Sequence, residues 1–235
     1  MKKLAVFVEG QTEQLFIERL ITEIAGANAI AIEKRKLTGE SRSISHWVRL
    51  WASAPDPGRE YFVLIIDCSG YNRVKSDILD NYNSLVSSGY SAIVGIRDVF
   101  PEFNQADINK LRSGLNYGLK TKPIRVVFAL GVMEIETWFI CEHTHFGRVH
   151  PALTTASIKA NLGFDPSVDD IQLRLSPSAD LDAIYNLVGQ RYKKDRRSIQ
   201  LTVNRLDYGF LYFSVLHRLP DLNMLVESIN AFLAP

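Results

Sequence analysis

The amino-acid sequence predicts an α/β fold in which a mainly parallel sheet is flanked by helices and followed by a helical C-terminal part. Short apolar runs alternate with segments whose apolar residues recur at helical spacing, a pattern typical of parallel strands joined by helices. Beyond residue 150 the patterns are helical. We therefore expect a core with about four or five strands at residues 1–150, and a helical appendage packed on it at residues 151–235.

The first strand and helix are predicted around residues 4–13, Leu-Ala-Val-Phe-Val-Glu-Gly-Gln-Thr-Glu. The apolar run 4–8 predicts a buried strand, and Gly10 allows a tight turn into a helix. The helix has an apolar face made of Phe16, Ile17, Leu20, Ile21 and Ile24. Glu9 then ends the strand and Glu13 lies in the first helical turn, and both can face the crevice where open α/β sheets bind ligands. A solvated Glu9 and a Glu13 favoured only by the helix dipole are the alternative.

Two more strands and a helix are predicted in the next segment. The apolar runs 29–33 and 61–66 predict strands, and Asp67 ends the second. An apolar stripe predicts a helix at residues 43–54, carrying Ile44, Trp47, Val48 and Trp51. The Pro-Asp-Pro-Gly sequence at 55–58 ends that segment.

The alternation continues to residue 140. A helix at 73–87 precedes a strand at 91–96 that ends in Arg97-Asp98, and a short helix at 105–115 follows Pro101. Residues 123–130 predict a strand, and 133–140 predict a helix or a strand-to-helix junction. In the last third, a helix begins at Ser176-Pro177, because proline suits the first helical turn. A terminal amphipathic helix follows Pro220-Asp221.

Composition restricts the functional classes. The 235 residues are 46% hydrophobic and 23% charged, as in ordinary globular proteins. A net charge of +1 gives no general attraction to nucleic acid, so an anion site must be a local patch. The two cysteines form neither a CxxC pair nor a disulfide scaffold, and no apolar run reaches a membrane span, so we expect a cytoplasmic protein without membrane association. Nucleotide-binding glycine motifs are missing from the sequence, which argues against ATP hydrolysis by this chain.

Carboxylates end several predicted strands. Glu9, Asp67 and Asp98 follow apolar runs, and Glu134 and Glu136 lie at the last junction. Parallel strands bring such residues to one edge of the sheet, where carboxylates repel each other unless a cation or a proton neutralises them. Mg²⁺ or Mn²⁺ is the expected cation, since hard cations prefer carboxylate oxygens. Two such ions about 4 Å apart stabilise the attacking and leaving oxygens of phosphodiester cleavage.

Residues 8–13, Val-Glu-Gly-Gln-Thr-Glu, resemble the opening motif of Toprim domains, the metal-dependent fold of topoisomerases, primases and OLD-type nucleases. They are most similar to a group of small bacterial Toprim-like proteins often found beside an ATPase gene. The resemblance implies that Glu9 is the first-strand glutamate, Asp67 the first aspartate of the DxD motif, and Glu13 a ligand around a second metal. Glu134 and Glu136 resemble the later acidic cluster. The resemblance covers about two thirds of the chain directly and is weaker in the helical end.

The sequence departs from this motif at Ser69, which stands where the second aspartate of DxD is expected. A hydroxyl is a weaker ligand than a carboxylate, and Asp98 could substitute if the sheet brings it close. The alternative is a catalytically degenerate Toprim-like protein that acts as a binding or adaptor protein.

Residues 191–197 form the densest basic run, Arg-Tyr-Lys-Lys-Asp-Arg-Arg. Lys193 and Lys194 are candidate phosphate contacts, which could also stabilise charge on the cleaved phosphate. A solvated helix end is the alternative. We interpret His143, His145 and His150 as surface or loop residues rather than zinc ligands, because zinc requires a fourth ligand and better spacing.

Together these observations predict a metal-dependent nuclease. Glu9 and Asp67 would hold one Mg²⁺ or Mn²⁺ ion with help from Ser69 or Asp98. A second ion would be held by Glu13, Glu134 and Glu136. The resemblance further implies nucleic acid, DNA in the first instance, as substrate, a role in bacterial defence against phage or plasmids, and regulation by a partner ATPase. A homodimer is a further expectation.

Overall fold

In the computed structural model, the structure describes residues 1–26, 29–38, 46–70, 72–119 and 122–234. This part of the chain contains one six-stranded sheet with the strand order β3-β2-β4-β1-β5-β6. The strands are β1 (Lys2–Val8), β2 (Ile30–Thr38), β3 (His46–Ala52), β4 (Tyr61–Asp67), β5 (Ala92–Asp98) and β6 (Val126–Gly131). β1 is parallel to β4 and β5, and β2 is parallel to β4. The predicted α/β fold with a mainly parallel sheet is confirmed, with six strands rather than four or five.

Helices connect the strands and make up most of the C-terminal part. They are α1 (Gln11–Ala25), α2 (Arg73–Ser87), α3 (Ile108–Asn116), α4 (Glu136–Cys141), α5 (His145–Val149), α6 (Thr155–Leu162), α7 (Pro177–Asn186), α8 (Arg196–Arg205), α9 (Tyr208–Phe210) and α10 (Pro220–Leu233). The helix predicted to begin at Ser176-Pro177 and the terminal helix are both present. Within the described ranges, none of these helices has the length and hydropathy that a membrane crossing requires.

The helix predicted at residues 43–54 is wrong. Residues 46–52 form β3, which pairs with β2 in the antiparallel direction, and residues 43–45 lie outside the described residues. The register shifts between Lys34 and Arg35, which pair with Trp51 and Arg49, so Leu50 is an extra residue in a β-bulge. The bulge places Trp47 and Trp51 on opposite faces of the sheet. Their four-residue spacing, which we interpreted as helical, therefore arises from an irregular strand.

β1 is an interior strand of the sheet, with β4 on one side and β5 on the other. Its residues from Leu4 to Val8 are at most 1% exposed, because β4 and β5 flank it and helices cover its faces. Val8 pairs with both Asp67 and Ile96, so β1, β4 and β5 end at the same edge.

Helix α1 is fixed to the sheet by a buried amide. The side-chain nitrogen of Gln14 donates to the carbonyl oxygens of Arg35 at 2.9 Å and Ile65 at 3.2 Å, on strands β2 and β4. Each of these carbonyls would otherwise need another donor, since buried backbone groups are costly to leave unpaired. The first turn of α1 is thereby held against the edge at which β1 and β4 end.

The described chain divides into two compact units. The first comprises Met1–Arg97, Asn109–Ala129 and Met224–Pro235, and the second Asp98–Ile108 and Leu130–Asn223. The division crosses β5 after Arg97, so only the last residue of that strand, Asp98, is counted with the second unit. The division into a core at 1–150 and an appendage at 151–235 was made on sequence patterns and stays a prediction.

The packing of β5 against the strand and helix beside it predicts opposite effects for two glycines of the first unit. A β-carbon at Gly95 would lie 2.5 Å from ring carbons of Phe128 and 3.0 Å from Ile78, whereas one at Gly114, inside α3, would meet nothing within 4 Å. We expect Gly95→Ala to lower the free energy of unfolding by about 1–3 kcal/mol. Gly114→Ala should raise it by about 0.5–1 kcal/mol, since alanine favours the helix. Urea denaturation of both variants measures this, and an unchanged Gly95→Ala would show that β5 is not packed as described.

Candidate metal centre

Three carboxylates meet at the edge where β1 and β5 end. Glu9 directly follows β1, Glu13 is the third residue of α1, and Asp98 is the last residue of β5. One carboxylate oxygen from each residue lies within 4.8 Å of the other two. We call Glu9, Glu13 and Asp98 the sheet-edge cluster. The parallel pairing of β1 with β5 makes this meeting possible, because it sets the ends of the two strands side by side.

The strand-to-helix turn positions Glu13. The backbone amide of Gly10 donates to Glu13 Oε2 at 3.1 Å, and Gly10 has an extended conformation with φ −160°. The carboxylate therefore folds back over the turn instead of extending into solvent, and Glu13 is only 5% exposed. This is half of a capping box, in which the third helical residue caps the amide that precedes the helix.

Basic side chains oppose the charge of the sheet-edge cluster. Arg97 Nε lies 3.7 Å from Glu9 Oε1, and both side chains are largely buried. A second nitrogen of Arg97 donates to Asn72 Oδ1 at 3.4 Å, which orients the guanidinium. The charge of Lys194 also acts on Asp98. Neighbouring carboxylates repel each other strongly where water is scarce, so a cation at the cluster is favoured.

Gly131, at the end of β6, makes room for Asp98. A β-carbon at Gly131 would lie 2.2 Å from Asp98 Oδ1 and 2.8 Å from the backbone nitrogen of Ile135, so no larger residue fits. Our sequence reasoning missed Gly131, because the steric need arises from a residue more than thirty positions away. Met133, two residues later, has a left-handed conformation with φ 61° and directly precedes Glu134. Such strained conformations of non-glycine residues concentrate at functional sites.

Asp67 and Ser69 have other partners. The Asp67 carboxylate accepts a hydrogen bond from the Ser69 amide at 2.8 Å and lies 3.5 Å from Lys36 Nζ. The Ser69 hydroxyl donates to the carbonyl oxygen of Leu37 at 2.9 Å. Neither residue belongs to the sheet-edge cluster, whereas Asp98, expected as a possible substitute for Ser69, does. Metal binding by Asp67 and Ser69 stays a prediction.

Glu134 and Glu136 share a lysine within the second unit. Glu134 accepts hydrogen bonds from the amide of Ser178 at 2.7 Å, from its hydroxyl at 2.9 Å, and from Lys194 Nζ at 2.8 Å. Glu136 accepts one from the Tyr192 hydroxyl at 2.7 Å, and its other oxygen lies 3.5 Å from Lys194 Nζ. We call these five residues the Lys194 network. Glu134 and Lys194 are 60 positions apart in the sequence. The start of α7 supplies Ser178, and the segment before α8 supplies Tyr192 and Lys194.

The two glutamates of the Lys194 network differ in acidity. Burial raises the pKa of Glu136 above its ordinary value, and the attraction of Lys194 and the hydroxyl of Tyr192 only partly oppose this. Burial acts in the same direction on Glu134, but the hydrogen bonds from Lys194 and Ser178 outweigh it and lower the pKa. Burial alone would lower the pKa of Lys194, yet the carboxylates of Glu136, Glu134 and Asp98 raise it well above its ordinary value. Lys194 is therefore firmly cationic.

The structure separates the two candidate lysines. Lys193 is exposed, and its backbone amide donates to the Ser198 hydroxyl at 2.9 Å. Only Lys194 contributes its ammonium group to the buried carboxylates. The basic run therefore contains Lys194, which is hydrogen-bonded to Glu134, and Lys193, whose charge helps to lower the pKa of Asp182.

The interpretation of the histidines as surface or loop residues is wrong for His145. His145 is fully buried in α5, and its Nδ1 lies 3.2 Å from Oε2 of Glu142, which is fully buried as well. Backbone amides of Thr144 and Asp207 each donate to Glu142 at 3.1 Å. The helical part thus has a buried polar group that the sequence did not reveal, although His145 and Glu142 are only three positions apart, because their burial depends on tertiary packing.

No protein-family model, curated protein or solved structure matches this chain. The resemblance to Toprim domains therefore rests on the residues of the motif.

The Lys194 network generates a prediction about pH and stability. Because the folded-state pKa of Glu136 is raised, its ionisation opposes folding, and this penalty grows as pH rises above the ordinary value of 4.5. We expect Glu136→Gln to gain stability relative to the wild type as pH rises from about 4 to about 8.

Glu134→Gln is the matched control with the opposite sign. The lowered pKa of Glu134 gives stability that is present above its ordinary value of 4.5 and lost as pH falls through the folded-state pKa. At neutral pH this substitution should cost about 1–3 kcal/mol, because it weakens charge-assisted hydrogen bonds. Urea denaturation across this pH range measures both effects, and parallel curves for the two variants would contradict the assignment.

Proposed function

We propose that this protein is a metal-dependent nucleic-acid phosphodiester hydrolase in which Glu9, Glu13 and Asp98 hold Mg²⁺ or Mn²⁺. The observation that carries the proposal is the approach of three carboxylate oxygens to within 4.8 Å of one another at the ends of β1 and β5. Ligand sites of open α/β sheets lie at this edge, beyond the carboxyl ends of the strands.

The donor set fits a hard divalent cation. Mg²⁺ binds oxygen at about 2.0–2.1 Å, so opposite ligands of one ion lie about 4.2 Å apart. The 4.8 Å limit on the three oxygens requires only small side-chain rotations to reach this spacing. Three carboxylates also supply the negative charge that such ions need.

The remaining residues have roles of binding and orientation. A divalent cation supplies positive charge to a phosphoryl oxygen and lowers the pKa of a water molecule. Lys194 provides a positive charge for a phosphate oxygen. Glu134 accepts a hydrogen bond from its ammonium group, and the Tyr192 hydroxyl orients Glu136 beside it. Lys193 is a second, exposed contact for the nucleic-acid backbone. A second ion with Glu134 and Glu136 as ligands remains part of the proposal, and would displace Lys194.

The biological setting is inferred from the Val-Glu-Gly-Gln-Thr-Glu motif. Its resemblance to Toprim nucleases supports DNA as substrate, a defence role against phage or plasmids in the bacterial cytoplasm, and a partner ATPase that controls the activity.

An adaptor without catalysis is the second candidate, and one observation favours it. Two of the expected ligand sets already have protein cations: Asp67 has Lys36, and Glu134 and Glu136 have Lys194. Built-in cations replace the charge that metal ions would provide, as expected of a degenerate site.

The first prediction from the sheet-edge cluster concerns metal binding. We expect Mn²⁺ to bind the wild type and raise its melting temperature, and Glu9→Gln and Asp98→Asn each to weaken binding at least about tenfold. Without metal, these variants should stay folded, because the lost attraction to Arg97 or Lys194 is offset by the removal of one repelling charge. Isothermal titration calorimetry and thermal unfolding measure this.

Glu23→Gln is the matched control for metal binding. Glu23 lies on α1, like Glu13, but it is exposed and paired with Arg19 at 2.6 Å. It should bind Mn²⁺ like the wild type. Equal Mn²⁺ affinity in Glu9→Gln, Asp98→Asn and Glu23→Gln would show that the cluster is not the site.

The second prediction concerns catalysis. Plasmid, linear DNA and RNA are incubated with the wild type in Mn²⁺, Mg²⁺ or EDTA, alone and with the partner ATPase. We expect cleavage that requires the metal and falls at least about 100-fold in Glu9→Gln and Asp98→Asn. Lys194→Gln should lose about 10- to 100-fold. Unchanged cleavage in all three variants would assign the activity to a contaminant, and no cleavage by the wild type under any condition would favour the adaptor.

A further inference from the structure

A pocket of about 430 Å³ lies in the first unit between α2 and strands β1, β2, β3 and β4. Small-molecule sites usually have volumes of about 300–1,000 Å³, and the volume of this pocket lies within that range. Aromatic rings contribute much of its lining: Phe7, Trp47, Phe62 and Tyr90. The metal-binding residues proposed above are not among the described residues that line it.

The aromatic rings form two edge-to-face pairs. Phe7 and Trp47 have ring centres 6.5 Å apart with planes at 77°, and Phe62 and Tyr90 have centres 6.4 Å apart with planes at 68°. Such pairs fix ring orientations, because the edge of one ring is attracted to the face of the other. The pocket therefore has rigid aromatic walls, which suit a planar apolar ligand.

Two cationic side chains, Lys3 and Arg35, belong to the pocket lining. The carboxylate of Glu33 lies behind Arg35, paired with it, and does not itself line the pocket among the described residues. Each cation is held by one partner: Arg35 Nε donates to Glu33 at 2.6 Å, and Lys3 Nζ donates to the carbonyl oxygen of Ser88 at 2.9 Å. A guanidinium has five N–H donors and an ammonium three, so both retain donors for a ligand.

Tyr90 adds a neutral hydroxyl beside these cations. Burial raises the pKa of Tyr90 to about 12; the positive charge of Arg35 opposes this in part, and the negative charge of Glu33 adds to it. The hydroxyl is therefore protonated at neutral pH and can donate a hydrogen bond to an anion. Lys3 Nζ also lies 5.8 Å from the centre of the Tyr90 ring, which places a positive charge against an aromatic wall.

We propose that this pocket binds a planar aromatic ligand that carries an anionic group, with its ring against Trp47 and Phe62 and its anion at Arg35 and Lys3. The apolar walls favour the ring, and the remaining N–H donors of Arg35 and Lys3 favour the anionic group. The proposal does not depend on the metal-dependent hydrolysis proposed above.

Titration of the full chain in EDTA tests the proposal, because chelation prevents an anion from binding through a metal ion. The probes are AMP and naphthalene-2-sulfonate, which are aromatic anions, with adenosine and inorganic phosphate as their uncharged and non-aromatic counterparts. We expect at least one aromatic anion to bind about tenfold more tightly than both counterparts. Binding of AMP alone would identify the ligand as a nucleotide, and binding of the sulfonate as a simple aromatic acid.

Two pairs of matched variants locate the binding. Arg35 and Arg49 both contact Glu33 Oε1, at 2.6 and 3.1 Å, but only Arg35 lines the pocket. Trp47 lines it, whereas Trp51 lies on the opposite face of β3 beneath Lys34. We expect Arg35→Gln and Trp47→Leu to weaken binding about tenfold, and Arg49→Gln and Trp51→Leu to change it less than about twofold.

Three results would overturn the proposal. One is that neither aromatic anion binds at concentrations up to about 1 mM. Another is that phosphate binds as tightly as AMP, which would indicate a general anion site. The third is an equal loss of binding in the pocket variants and their controls, with melting temperatures unchanged.

Discussion

The compensation of buried carboxylates at the ends of parallel strands is the constraint on which this structure depends. A carboxylate in a site with little water needs a cation, a proton or several hydrogen-bond donors. The chain supplies a basic side chain at each of two strands: Asp67 at the end of β4 lies near Lys36, and Glu9 after β1 lies near Arg97. Gly131 at the end of β6 leaves room for another of these groups, the carboxylate of Asp98.

The carboxylates differ in their partners. Glu134 and Glu136 accept hydrogen bonds from Lys194, Ser178 and Tyr192 and share the ammonium of Lys194. Glu9, Glu13 and Asp98 bring three carboxylate oxygens within 4.8 Å of one another, with Arg97 beside Glu9 and the charge of Lys194 acting on Asp98. Three converging carboxylate oxygens are the ligands that a hard divalent cation prefers, which is why the metal is proposed there first.

Local sequence patterns predicted the positions of Glu9 and Glu13 better than their meeting with Asp98. The strand ending before Glu9 and the helix turn carrying Glu13 follow from a few neighbouring residues, and both lie where the pattern placed them. Glu9 and Asp98 lie close together because β1 and β5 are neighbouring strands. The periodicity of a sequence does not specify which strands are neighbours. The helix predicted from Trp47 and Trp51 was wrong for a related reason. The two residues belong to a strand with a bulge, and the bulge arises from the pairing of β3 with β2. The need for glycine at 131 likewise arises only from tertiary contact.

The most direct test of the account is the location of the metal. Crystals of the protein soaked in Mn²⁺ are measured at the manganese absorption edge, and the anomalous difference map shows the ion without reference to activity. The account predicts one strong peak about 2.0–2.3 Å from carboxylate oxygens of Glu9, Glu13 and Asp98. A peak coordinated by Asp67 and not by Asp98, or no peak at these carboxylates in well-occupied crystals, would contradict it.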